Sequence, residues 1–270
     1  MRDWKEDAQL NDLIVIRDPA CERYEELLLR RNELKKECLF LELEYTRTFG
    51  ELIIALFKKQ IECAQKKKAI EFCRIALNRG ETPDEAQLAR FIQRETQEMR
   101  RHLDELISRY DSAKDAEAIT QADAIKIKTI YRRIARRLHP DLNPRFQSSE
   151  RLKALWHEAV SAYEHNDLQA LSETEVLINR ELSDFTGEIS TINIPDVAQK
   201  TAALEAEIAE IMNTNPYQYK FLLADEEAVA AKKDDLEGEL SSYLDYSARL
   251  DAMLYEITGK GETDALWGTN

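Results

Sequence analysis

Glycine and proline are scarce, 7 and 6 in 270 residues. Tight turns draw on both, so a fold of many short strands is excluded, as are collagen-like, mucin-like and flexible-linker chains. Cysteine is rarer still and never falls at Cys-x-x-Cys spacing. Cys21, Cys38, Cys63 and Cys73 sit inside helical patterns, where they read as small buried hydrophobes. His102, His139, His157 and His165 are scattered, and no ligand cluster for a metal emerges. Missing too are a Gly-rich phosphate loop, a GxSxG and an HExxH, so neither intrinsic catalysis nor a cofactor is expected. No apolar run approaches the roughly 20 residues of a membrane span. The opening MRDWKEDAQLND carries too much charge for a signal peptide. A reduced, cytoplasmic chain without membrane contact is the expectation.

What is abundant is charge, 33% of residues, with a net of −14. It is uneven. Residues 1–119 carry a net of −3 and residues 152–270 a net of −16, while residues 120–151 hold 8 Lys/Arg against 3 Asp/Glu. A basic island in an acidic chain has a local purpose, and the acidic remainder argues against nucleic-acid binding.

The hydrophobic pattern predicts an all-α protein. Asp18 and Pro19 open a first helix that meets no further proline until after Asn78. Tyr24, Leu27, Leu34, Cys38, Leu41, Tyr45, Thr48 and Leu52 repeat at three- and four-residue steps or their sum. Leu56, Cys63, Ile70 and Leu77 continue at sevens. Gly50 interrupts this series and marks a kink or a close approach of a second helix. Gly80 stops the helix, and Thr82-Pro83-Asp84-Glu85 starts another with Leu88, Ile92, Met99, Leu103, Leu106 and Tyr110 as its stripe. Residues 1–119 thus read as a long antiparallel coiled-coil hairpin. Residues 120–183 form a distinct module and residues 184–195 a linker. Residues 196–258 form a second, acidic hairpin, with one helix from Asp196 to Met212 and another from Tyr217 to Ile257. Residues 259–270 form a flexible tail. The seams permit closure within one chain or between two copies, so a homo-oligomer is open.

The informative stretch is AIKIKTIYRRIARRLHPDLNPRFQSSERLKALWHEAVSAYEHNDLQAL. On a helix over 124–138, Ile127, Tyr131, Ile134 and Leu138 share one face. Arg132, Arg133 and Arg136 point the opposite way, flanked by Lys126, Lys128 and Arg137. Proline disfavours helical geometry in the residue before it, so the helix exits at His139-Pro140-Asp141. Asn143-Pro144 continues the loop. Ser148 or Ser149 caps a second helix, whose inward residues are Leu152, Leu155, Trp156, Ala159 and Tyr163.

A basic amphipathic helix, then HPD, a loop with NP and a helix bearing Trp156 and Ala162-Tyr163 closely resembles the J domain of DnaJ-type co-chaperones. YRRIARRLHPDLNP is similar to that family's second helix and loop almost residue for residue. The resemblance covers roughly 50 of the 270 residues. It implies a module that docks on a DnaK-type (heat-shock-protein-70 class) chaperone and stimulates the chaperone's ATP hydrolysis. His139, Pro140 and Asp141 would trigger hydrolysis, and Lys126, Lys128, Arg132, Arg133, Arg136 and Arg137 would meet an acidic surface of the partner. The coiled-coil arms would hold a client protein. No Tyr-Leu-Gly first helix precedes Ala124, which leaves the end of the preceding helix (Leu106, Ile107, Tyr110) to pack in its place. The Gly/Phe-rich region and CxxCxGxG repeats of full-length DnaJ are also missing. The rival reading is a coiled-coil scaffold with an inactive J-like fold.

Overall fold

The computed structural model describes residues 19–115, 119–183 and 196–259. The expected linker, residues 184–195, and all of the expected tail but Gly259 lie outside them. Among the described residues the protein is all-α, with no strand.

Helix α1 runs from Pro19 to Asn78, the limits its proline and following glycine predict. Gly80 takes the left-handed φ of 71° that ends the helix. Helix α2 (Glu85–Asp115) is capped by Asp84, whose carboxylate accepts the amides of Ala86 and Gln87. Helix α3 (Gln121–Leu138) starts at Thr120, whose hydroxyl accepts the Asp123 amide. A 3-10 turn over Pro144–Ser148 leads to α4 (Glu150–Glu164), capped by Ser149. Helix α5 (Leu168–Ser183) follows, then α6 (Val197–Asn213). The single last helix expected from Tyr217 is in fact two, α7 (Tyr219–Leu223) and α8 (Glu226–Thr258). The break has a local cause: the Asp225 side chain accepts the amides of Glu227 and Ala228 and so begins a new helix.

Compactness does not follow the consecutive blocks suggested by the sequence pattern. The chain divides into one unit drawn from Met1–Leu39 and Glu117–Tyr217 and another drawn from Phe40–Ala116 and Gln218–Asn270. Helix α1 therefore serves both, and α6 and α8 each pack on it.

In the second unit, α2 folds back along α1, so that Leu88 and Ile92 meet Ala69 and Cys73 near the turn. Farther along, the Tyr110 ring lies where a Gly50 side chain would be, 2.5 Å from an ideal Cβ. Gly50 thus marks a close approach. Helix α8 runs parallel to α1, with Leu236 beside Leu56 and Leu250 and Leu254 in the cluster around Cys63 and Ile70. The expected two-helix seam is shared by three helices. A buried polar cluster crosses it: Lys66 donates to Ser247 Oγ and Asp251 Oδ2, both at 2.6 Å, and pairs with Glu62 at 2.7 Å. No helix among the described residues is long and apolar enough to cross a membrane.

Candidate functional site

The first unit holds the basic island. Helices α3, α4 and α5 enclose a core of Ile127, Tyr131, Ile134, Leu138, Leu152, Leu155, Ala159, Leu171 and Ile178. The inward residues predicted for α3 and α4 are all buried. The third helix of this core was not read from the pattern, although Leu171, Thr174 and Ile178 recur at helical steps. Leu29 of α1 completes this core.

At the end of α3 the chain leaves the helix at His139, whose ψ of 129° is the extended value required before proline. His139 is buried, its ring edge-on to Trp156 with centroids 5.1 Å apart. Its Nδ1 accepts the Asp141 amide at 3.1 Å. That bond requires an unprotonated Nδ1, so the ring is neutral with its proton on Nε2. Burial pushes the imidazole pKa down to about 4; the carboxylate of Asp141 opposes this and the guanidinium of Arg31 adds to it. The Asp141 carboxylate lies 4.0 Å from Nδ1, but a neutral ring makes no ion pair with it. Asn143 closes the loop by donating to the Arg136 carbonyl at 3.0 Å, satisfying an acceptor that the helix end leaves open. The result is a braced turn. Pro140 and Asp141 stand on it at the surface, the Asp141 side chain 49% exposed.

The cations of α3 are placed less simply. Arg132 donates from Nε to Glu33 at 2.6 Å and from a terminal nitrogen as well, and Lys128 pairs with the other Glu33 oxygen at 3.0 Å. Arg136 Nε donates to Glu25 at 2.9 Å. Arg133 binds Glu175 of α5 with two bonds of 2.7 and 2.8 Å, a bidentate pair. Arg137 donates to Asn179, and Lys126 pairs with Asp123 one turn back. The face expected to await a partner is thus largely engaged within the chain, although Arg132, Arg133 and Arg136 keep about half their side-chain area in solvent.

Two of those acceptors come from α1. The contacts fall in reverse order along the two helices: Tyr24 to Asp141, Glu25 to Arg136, Asn32 to Tyr131, Glu33 to Arg132 and Lys128. The first third of α1 therefore runs antiparallel beside α3. Lys36 ends the series, donating to the Tyr163 carbonyl at 2.7 Å and lying 3.9 Å from the Tyr163 ring centroid. Leu142 of the HPD loop is buried in a cluster with Tyr24, Leu27 and Leu28 of α1 and Leu204 of α6. Helix α6 is tied to α1 by Glu205 on Arg23 and by Glu207 on Arg31 and Lys35. Sequence reasoning missed Glu25, Glu33 and Glu175, and it placed Tyr24 only in the apolar stripe of α1. The one available signal was the acidic run Glu22, Glu25, Glu26, Glu33 on a helix with no evident partner.

No family model, curated protein or solved structure matches the chain.

Proposed function

We propose that residues 119–183 are a J-type module that docks on a DnaK-type chaperone ATPase and stimulates its hydrolysis of ATP, the arms of α1, α2 and α8 holding a client. The observation that carries this reading is the braced HPD turn. A neutral, buried His139 spends its ring on Trp156 and on the Asp141 amide, which fixes the backbone that carries Pro140 and a half-exposed carboxylate at the end of an arginine-bearing helix. A half-exposed carboxylate on a braced turn beside guanidinium groups suits a partner surface carrying both a cation and carboxylates. The chemistry takes place in the partner, so His139 is a positioning residue. Four buried, unbridged cysteines accord with a reducing, cytoplasmic location.

The scaffold reading draws on a specific observation too. Glu25, Glu33 and Glu175 consume the cations that a partner would use.

Single-turnover ATP hydrolysis by several DnaK-type chaperones, with this protein and with its His139→Gln variant, separates the two. Stimulation that the variant loses while keeping its helical circular dichroism supports the co-chaperone. No stimulation from either protein with any of the chaperones leaves the scaffold.

A further inference from the structure

We propose that the first third of α1 is an internal stand-in for the acidic partner of α3, holding the HPD face closed until a partner displaces it. This rests on the co-chaperone reading above and adds its regulation.

The argument begins with the pairing. Glu25 and Glu33 are nearly enclosed, their side chains 8% and 10% exposed. Carboxylates are buried at that level only when paired, and the groups that pair them are Arg136, Arg132 and Lys128, three of the six cations assigned to docking. Glu25 and Glu33 thus present to α3 the chemistry expected of an acidic partner. The loop is held from the same side: the Tyr24 hydroxyl donates to Asp141 Oδ2 at 3.4 Å, and Leu142 is buried against Tyr24, Leu27 and Leu28. One segment of one helix therefore engages both the basic face and the HPD loop.

The hold is of a kind that can be exchanged. The cations remain about half in solvent, so an incoming carboxylate reaches them without a prior opening, and half-exposed ion pairs are individually weak. What keeps the segment in place is apolar burial at Tyr24, Leu27, Leu28 and Leu29. Arg133 differs from its neighbours. Its bidentate acceptor, Glu175, belongs to α5 in the same three-helix core, so that pair survives movement of α1. A closed state lowers apparent affinity by the fraction of molecules that are open, and weakening the α1 contacts should recover it.

The test uses the full chain as wild type, E25Q/E33Q, Y24F, and E25Q/E33Q with H139Q, plus E175Q as a control. Two readouts are taken: amide hydrogen exchange over residues 19–39, and single-turnover ATP hydrolysis by a DnaK-type chaperone at a sub-saturating concentration of this protein. The proposal expects exchange over 19–39 to quicken roughly three- to tenfold in E25Q/E33Q and less in Y24F, with stimulation rising by a similar factor. Adding H139Q should abolish the stimulation, and E175Q should leave exchange over 19–39 unchanged. Unaltered exchange in E25Q/E33Q and Y24F, or stimulation by E25Q/E33Q no greater than by wild type, overturns the masking and leaves the co-chaperone reading standing. Faster exchange with no stimulation from any form overturns the co-chaperone reading, and the masking of a chaperone surface falls with it. Unchanged exchange over 40–115 in each variant shows that the second unit is intact.

Discussion

Protonating His139 should loosen the HPD turn, and the size of the effect follows from its burial. The folded pKa is about 4 against an ordinary 6.5, a depression caused first by burial, opposed by Asp141 and aided by Arg31. The sign is that of a histidine that prefers to be neutral when folded. Above pH 6.5 both states are neutral and the group contributes no pH dependence. Between 6.5 and 4 the unfolded chain binds a proton that the folded chain refuses, so stability falls as pH falls. At about 1.36 kcal/mol per pKa unit, linkage over that window makes the loss about 2.5 kcal/mol by pH 4.5. Protonation also removes the acceptor for the Asp141 amide, so the loss is centred on the turn. The assay is urea unfolding read by Trp156, which touches the His139 ring, in a chain whose other two tryptophans, Trp4 and Trp267, are replaced by Phe. Carboxylate titrations act on wild type and H139Q alike, so the informative quantity is the difference between them. H139Q should be less stable at pH 7, and that gap should shrink by about 2.5 kcal/mol at pH 4.5. Parallel pH profiles for the two proteins would refute the neutral, buried imidazole. So would an imidazole that titrates near 6.5 by NMR.

Gly50→Ala tests the close approach in the second unit. A helical glycine ordinarily gains about 1 kcal/mol on becoming alanine, but the new Cβ would lie 2.5 Å from the Tyr110 ring, and overpacking of that kind costs about 1–3 kcal/mol. G50A should therefore destabilise the wild type and stabilise a Y110A background, and stabilisation in both would refute the contact. Lys66, a buried charge, should be costly to remove. Burial pulls its pKa down, but Asp251 and Glu62 outweigh that and carry it above the usual lysine value, while Glu62 is held at about 2. K66A should cost about 2–3 kcal/mol in urea unfolding and return the Glu62 pKa toward 4.5, and K66M should cost less because its stem still packs.

The elements were legible where their ends are written locally. Pro19 and Gly80 bracket α1, and Thr120 and Ser149 cap α3 and α4, because caps and breakers act over a few residues. Faces were legible for short helices: Ile127, Tyr131, Ile134 and Leu138 had one possible side to bury. What a 60-residue helix could not disclose was which of its stretches meets which partner. A continuous apolar stripe allows Leu29 to complete one core and Cys63 and Ile70 another, and no local signal divides them. The ion pairs were hidden by distance along the chain, with Glu33 and Arg132 99 positions apart and Glu25 and Arg136 111 apart. The break at Asp225 was written locally and overlooked, since an Asp followed by two glutamates is an ordinary helix start.

The basic face answers to two requirements that compete for the same donors. Burying Glu25 and Glu33 against α3 demands cations there whatever the protein does, so arginines alone do not argue for a partner. The HPD turn is a different matter. Packing would be served by any residue that fills the space beside Trp156, and helix termination by Pro140 alone. A neutral His139 accepting the Asp141 amide adds something neither purpose needs, a braced backbone under a carboxylate whose side chain is half in solvent. Arginine then reconciles the two demands where lysine could not. A guanidinium carries five donors, and Glu33 takes only the Nε and one terminal nitrogen of Arg132. An arginine can hold a buried carboxylate on one edge while its other edge meets an incoming one, so exchange of α1 for a partner can begin at this position before Glu33 is released. On that ground the weight of the co-chaperone reading lies in His139 and Asp141, and the arginines decide how tightly the site is kept closed.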